Sequence, residues 1–155
     1  MASKIFTRSR LSRILRRSRG KRKIVFTNGC FDLFHPGHLL LLLKAKSLGD
    51  ILIVAVNSDL SVRKLKGRHR PLIDEKSRAR ILSALSCVDY VTVFPEDTPA
   101  ETIAVLRPDI LVKGSDYKLS EIVGKKDVRK VVRFPLVKNF STSGLIQKIV
   151  RAYGN

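Results

Sequence analysis

Two histidines, His35 and His38, bracket the dipeptide Pro36-Gly37. Proline suits the first turn of a helix, and glycine permits close approach of a backbone or ligand. The pair therefore stands at a helix N-terminus, where free N–H groups and the dipole favour an anion. The chemistry on offer is binding and stabilisation of phosphate. Two plainer readings use the same residues: polar capping, and a zinc pair. Zinc would need a third ligand, and His69 is the only other histidine. The tetrapeptide is neither a GxGxxG dinucleotide fingerprint nor a Walker-type loop. A second anion site is readable at Ser141-Thr142-Ser143-Gly144, which opens the last predicted helix after Lys138 and Asn139. Any of these hydroxyls can act as a simple cap. Two helix N-termini in a chain rich in Lys and Arg point instead to a polyphosphate.

Strands and helices must alternate to bring these segments together, and the hydrophobic pattern supplies them. Strands are predicted at Ile24–Thr27, Ile51–Val56, Val88–Phe94, Ile110–Val112 and Val131–Val137, the last holding Pro135 and so suited to an edge. Helices are predicted over Leu39–Leu48, from an Asp74 cap to about Leu85, from Pro99 to Leu106, and over Ser141–Ala152. Residues 60–73, basic and broken by Gly67 and Pro71, read as a loop. Apolar strands separated by helices indicate a parallel sheet covered on both faces, an α/β doubly wound domain. Such sheets bind ligands outside the carboxyl ends of their strands. Those ends carry Asn28-Gly29-Cys30-Phe31-Asp32, Asn57-Ser58-Asp59, Phe94-Pro95-Glu96-Asp97 and Lys113-Gly114-Ser115-Asp116-Tyr117.

The 155 residues suit one domain, and 44% apolar content supports a real core. The two cysteines, Cys30 and Cys87, form no CxxC, which argues against a disulfide scaffold or zinc ribbon. No apolar run approaches the ~20 residues of a membrane span. The net charge of +18 is uneven: residues 1–23 hold ten Lys/Arg and no acid, and residues 24–155 hold the other 21 with all 13 acids, a balance of +8. The domain is therefore divided into a basic arm, 1–23, and a body, 24–155. The arm is Arg/Ser-rich and acid-free, like an organelle transit peptide. Ile5, Phe6, Leu11, Ile14 and Leu15 fall at helical spacing before a stop at Gly20, which reads as a basic amphipathic helix capping the domain. Nucleic-acid, anionic-lipid and targeting roles remain open for it.

The segment Phe26-Thr27-Asn28-Gly29-Cys30-Phe31-Asp32 followed by His35-x-Gly37-His38 resembles the nucleotidyltransferases of the HxGH superfamily. Further segments are similar to the adenylyltransferase domain of ADP-heptose synthases: Ile53–Asp59, Leu65-Lys66-Gly67 with Arg70-Pro71, Glu96–Pro99, Leu111–Gly114 with Asp116-Tyr117, and Phe140-Ser141-Thr142. They occur in order over about residues 11–151. The resemblance implies a Rossmann-like nucleotidyltransferase that moves AMP from ATP to D-glycero-β-D-manno-heptose 1-phosphate, giving ADP-heptose and pyrophosphate. The product would feed lipopolysaccharide core synthesis. The chain has no room for the kinase domain of bifunctional relatives, so a separate kinase is expected to supply the acceptor. A cytoplasmic enzyme, Mg²⁺ carried with ATP, and a homodimer are further expectations, and nucleic acid is not the expected partner.

The resemblance also assigns roles. His35 and His38 would donate to the triphosphate. Ser141, Thr142 and Ser143 would hold its β/γ end, with Thr27, Asn28, Gly29, Cys30, Phe31 and Gly37 lining the first turn. Lys113, Gly114 and Asp116 fall where adenosine binds in relatives. Lys66, in the basic loop, would close over both substrates. Asp32, Arg78, Asn57 and Asp59 are assigned to the acceptor. Plainer alternatives stand beside these: Asp32 capping a turn, Lys66 as solvated surface, Arg78 pairing with Asp74 or Glu75 along its helix. Two departures from the family pattern appear. Thr142-Ser143 replaces paired threonines, and the stretch after Tyr117 carries Lys125, Lys126, Arg129 and Lys130 in place of a glycine-rich turn. Two other functions compete: a cytidylyltransferase making a CDP-alcohol such as CDP-glycerol, and a non-enzymatic RNA- or lipid-binding module.

Overall fold

The computed structural model describes residues 3–115, 118–135, 137 and 140–154. Five strands, β1 (Ile24–Gly29), β2 (Ile51–Asn57), β3 (Tyr90–Phe94), β4 (Ile110–Gly114) and β5 (Lys130–Phe134), form one parallel sheet in the order β3-β2-β1-β4-β5. The helices are α1 (Arg8–Leu15), α2 (Pro36–Lys46), α3 (Asp59–Lys66), α4 (Glu75–Ala84), α5 (Ala100–Leu106) and α6 (Thr142–Tyr153). This is the doubly wound α/β architecture that the apolar strands imply.

Alternate residues of each central strand feed opposite layers. Val25, Leu52, Val54 and Val56 pack with Leu42 and Ala45 of α2 and Ala79 and Leu82 of α4. Ile24, Phe26, Ile51, Ile53 and Ala55 pack on the other face with Leu11 and Leu15 of α1 and Ile103 and Leu106 of α5. A strand buried on both faces has no polar side to expose, which is why β2 reads as a continuous apolar run.

The basic arm is tied into this core. Phe6 N donates to Val91 O at 3.0 Å and Val91 N to Lys4 O at 2.9 Å, adding a short parallel bridge at the β3 edge. Thr7 caps α1, and Leu11 and Leu15 are fully buried, each worth about 1.5–3 kcal/mol. Arg8 bonds Glu96 at 2.8 Å and Glu101 at 2.6 Å. Several of the body's acids serve structure. Asp50 accepts from Lys23 N, Asp109 from Ile24 N and Asp89 from Leu52 N, all at strand starts.

The structure corrects the expectation of a loop over residues 60–73. Ser58 caps α3 by accepting from Ser61 N at 3.2 Å, and Val62 is buried. The basic run is the helix's last turn, where cations suit the dipole. Gly67 ends it at φ +94°, a conformation that side chains resist. Strand ends also shift: β3 starts at Tyr90, β5 stops at Phe134 before Pro135, and α2 begins at Pro36. Among the described residues, no helix is long and apolar enough to cross a membrane.

Candidate active site

The carboxyl ends of the strands surround a cavity of about 320 Å³. Its first wall is the turn leaving β1. Phe31 and Leu33 both adopt left-handed backbone at φ +50°, a cost of about 1–3 kcal/mol apiece that the surroundings must offset. Packing of Phe31, whose ring meets His38 edge-on at 5.2 Å, supplies part of that.

His35 occupies the N-cap of α2 without bonding its backbone, and His38 lies in the first turn. Their rings stack at 3.7 Å, 20° from parallel. A Cβ on Gly37 would stand 3.0 Å from the His35 ring, so glycine is what lets the imidazole lie against the helix. Burial depresses the pKa of both histidines. That of His38 falls to about 3, with proximity to His35 adding to the effect and Asp32 opposing it. Both rings are therefore neutral at pH 7. Nδ1 of each is buried without a hydrogen-bond partner, as are Thr27 Oγ1 and Asn28 Oδ1 nearby. Unpartnered buried polar atoms clustered at one turn call for a ligand or water to satisfy them.

The second wall is the start of α6. Ser141 caps it by accepting from Gly144 N at 3.0 Å, and Thr142 Oγ1 donates to the carbonyl of Asp32 at 2.8 Å. Two helix N-termini thus open onto one cavity. The third wall is the α3–α4 segment, which contributes Lys66 and Arg70. Asp32, 1% exposed, accepts from Arg70 Nε at 2.6 Å and from the N–H groups of Leu72 and Ile73. Burial alone would raise its pKa, but these donors outweigh it and hold the carboxyl below its ordinary value.

Of the residues singled out in the sequence, Cys30, Phe31, Asp32, His35, Gly37, His38, Lys66, Gly114, Ser141, Thr142 and Ser143 line this cavity. Thr27, Asn28 and Gly29 end β1 beneath it, and Lys113 is buried at the end of β4. Asp116 lies outside the described residues, as do Tyr117, Lys138 and Asn139. Asn57, Asp59 and Arg78 gather away from the lining. Arg78, 1% exposed, donates to Ile73 O, to Cys30 O at 2.6 Å and to Asp59 Oδ1 at 2.6 Å. Asn57 Nδ2 donates to Ser61 Oγ. Arg78's partner is Asp59 rather than the helical neighbours Asp74 or Glu75. Burial pushes the Cys30 thiol pKa up despite Lys66, Arg78 and Arg70, which leaves it protonated and unsuited to nucleophilic attack.

Sequence reasoning passed over Arg70 as a site residue, although Arg70-Pro71 stood within a quoted motif. It also missed the apolar wall of Phe134 and Phe140, which line the cavity. Nothing in their spacing distinguishes those aromatic side chains from core. Among the described residues, no three His, Cys, Asp or Glu side chains gather to hold a metal ion. The carboxylate at the cavity, Asp32, already accepts bonds on both oxygens. The described residues therefore do not form a cage for Mg²⁺.

The fold and this cavity define a doubly wound α/β domain with two helix N-termini facing one cavity at its strand ends. Comparison with known proteins narrows the class. The model of the cytidylyltransferase-like family matches residues 26–148. The chain is 53% identical over 135 residues to Bifunctional protein HldE of Helicobacter acinonychis (strain Sheeba), covering 87% of this chain and 29% of that protein. It is 56% identical over 142 residues to Bifunctional protein HldE of Geobacter metallireducens, covering 89% of this chain and 29% of that one. The chain thus spans under a third of the length of these curated relatives. The crystal structure of a lipopolysaccharide core biosynthesis protein from Thermoplasma volcanium superposes with a TM-score of 0.65 at 32% identity, over 76% of this chain and 99% of that one. A pantoate–β-alanine ligase from Francisella tularensis shares the fold at a TM-score of 0.65 and 18% identity, over 99% of this chain and 82% of that one. The chain belongs to the cytidylyltransferase-like family of nucleotidyltransferases.

Proposed function

We propose that this domain transfers AMP from ATP to D-glycero-β-D-manno-heptose 1-phosphate, giving ADP-heptose and pyrophosphate. The observation that carries the reading is the convergence of the His35/His38 helix N-terminus and the α6 N-terminus on one cavity. The identity to Bifunctional protein HldE and the likeness to a lipopolysaccharide core biosynthesis protein favour the sugar acceptor. ATP as donor sets the reaction in the cytoplasm, and a kinase reaction must make the acceptor.

A phosphate oxygen of the sugar attacks the α-phosphorus in line. The new P–O bond forms as the bond to pyrophosphate breaks, and pyrophosphate leaves with the electron pair. The nucleophile is already anionic, so positioning and charge stabilisation are the main tasks. His35 and His38, neutral, donate N–H bonds to phosphate oxygens. The α2 N-terminus adds its dipole, and Ser141 and Ser143 hold the far end of the triphosphate. Lys66 covers the anions. The β1 turn, Thr27 to Phe31 with Gly37, admits the phosphates closely, while Lys113, Gly114 and Asp116 receive the nucleoside. Asp32 shapes the acceptor side, and Asn57, Asp59 and Arg78 support it from beneath. The chain's described residues offer Mg²⁺ no cage, so an ion brought in with ATP would supply charge neutralisation only.

The test is pyrophosphate release from ATP and the heptose phosphate, wild type against His35→Ala. Equal turnover would overturn the mechanism. The family description fits one rival loosely, a cytidylyltransferase making a CDP-alcohol such as CDP-glycerol. Preference for CTP in a nucleotide competition panel would decide for it.

A further inference from the structure

Arg70 lines the cavity with 14% of its side chain exposed, and its Nε is bonded to the fully buried Asp32 carboxylate. Asp32 also accepts from Leu72 N and Ile73 N, so one carboxylate fixes both the segment's backbone and its arginine. Only one guanidinium nitrogen is used in this way. Among the described residues, neither terminal nitrogen of Arg70 has a hydrogen-bond partner. We infer that Arg70, aimed by Asp32, binds the phosphate of the acceptor.

The inference rests on the adenylyl-transfer reading and adds a residue to it. The sheet order β3-β2-β1-β4-β5 reverses between β1 and β4, where doubly wound sheets receive nucleotides. Helix α6 follows β5 and lies on that side, and α2 starts at β1. The α3–α4 segment follows β2 and approaches from the other side of β1. An anionic nucleophile meeting a triphosphate needs cationic groups that the leaving group does not occupy. Lys66 offers a point charge on a flexible stem, whereas arginine offers a planar fork matching two phosphate oxygens. Asp32 offsets part of the charge of Arg70, so its contribution lies in orientation: a fork already held at Nε loses little freedom when phosphate arrives. Asp32 is thus a positioning residue that acts through Arg70.

Five proteins test this: wild type, Arg70→Ala, Arg70→Lys, Asp32→Asn, and Arg70→Ala combined with Asp32→Asn. Two binding constants are measured by calorimetry, one for ATP and one for inorganic phosphate in the presence of a non-reacting ATP analogue. The KM of the sugar 1-phosphate is measured by pyrophosphate release. Arg70→Ala is expected to weaken phosphate binding and raise acceptor KM by about tenfold or more, the scale of a charge-assisted bond, with ATP affinity changed less than about twofold. Asp32→Asn moves acceptor KM in the same direction, and adding it to Arg70→Ala costs little more, as expected of two residues acting as one. Arg70→Lys, which keeps charge without the fork, recovers less than half of the loss. Unchanged phosphate binding in Arg70→Ala overturns the inference, as does an equal loss of ATP affinity. Additive effects of the two changes remove Asp32 from it. A wild type that binds phosphate through Arg70 yet turns over no sugar phosphate defeats the adenylyl-transfer reading instead.

Discussion

Thr142 Oγ1 donates to the carbonyl oxygen of Asp32 at 2.8 Å, joining the first residue of α6 to the first turn across 110 positions of sequence. The same turn holds the Arg70 segment through the Asp32 carboxylate. One residue therefore links two walls of the cavity, its backbone to one and its side chain to the other.

Loss of this latch should show in both stability and binding. Thr142→Val is expected to cost about 1 kcal/mol in chemical denaturation, the net worth of one hydrogen bond. It should also weaken ATP binding, because the α6 N-terminus is no longer held against the turn. Thr142→Ser keeps the donor and should restore most of both. A calorimetric ATP titration beside a urea melt checks this.

His35→Ala and His38→Ala should each lower kcat by about 10²–10³-fold, as removal of a transition-state donor does elsewhere. Replacing both should cost less than the product of the single losses, because the stacked rings serve one phosphate group. Steady-state kinetics on the three variants decide it.

The depressed histidine pKa values make a stability prediction of definite sign. The unfolded chain takes up protons on these residues below pH 6.5, while the folded state resists until His38 reaches about 3. Stability should therefore be full above pH 6.5 and fall as pH drops through the range beneath it. Over pH 7 to 5, where carboxylates contribute little, the loss from His38 is on the order of 1–2 kcal/mol. Thermal melts of wild type and His38→Gln across that window should show a flatter profile for the variant.

Arg78→Met should destabilise by about 3–5 kcal/mol, since Asp59 and the carbonyls of Cys30 and Ile73 lose their partner. Its effect on acceptor KM in whatever fraction stays folded should be small beside that of Arg70→Ala. Denaturation and kinetics on the same preparation separate the two.

The arm's contribution is packing more than charge. Leu15→Ala should cost about 2–5 kcal/mol, as truncation of a fully buried leucine does. Arg16→Ser and Arg17→Ser, on exposed positions, should stay within about 0.5 kcal/mol of wild type. Equal losses from the two kinds of change would return the arm to an electrostatic role.

Much of the fold was legible because its causes are local. Apolar runs such as Ile51–Val56 must be covered on both faces, Asp74 and Ser141 cap their helices through the next turn, and Gly37 is required beside the His35 ring. The paired histidines and the serine–threonine run marked two helix N-termini, which the structure brings to one cavity, for the same local reason. Helix α3 was hidden because a run of basic residues resembles a solvated loop until Val62 is seen to be buried. The choice of Asp59 over Asp74 or Glu75 for Arg78, and of Arg70 for Asp32, depended on crossovers that bring together residues 19 and 38 positions apart. Spacing along one helix cannot specify such pairs; sheet order does. The sequence set the candidate phosphate-binding residues at the strand ends, and the tertiary structure decided which cations face the cavity and which are spent within the fold.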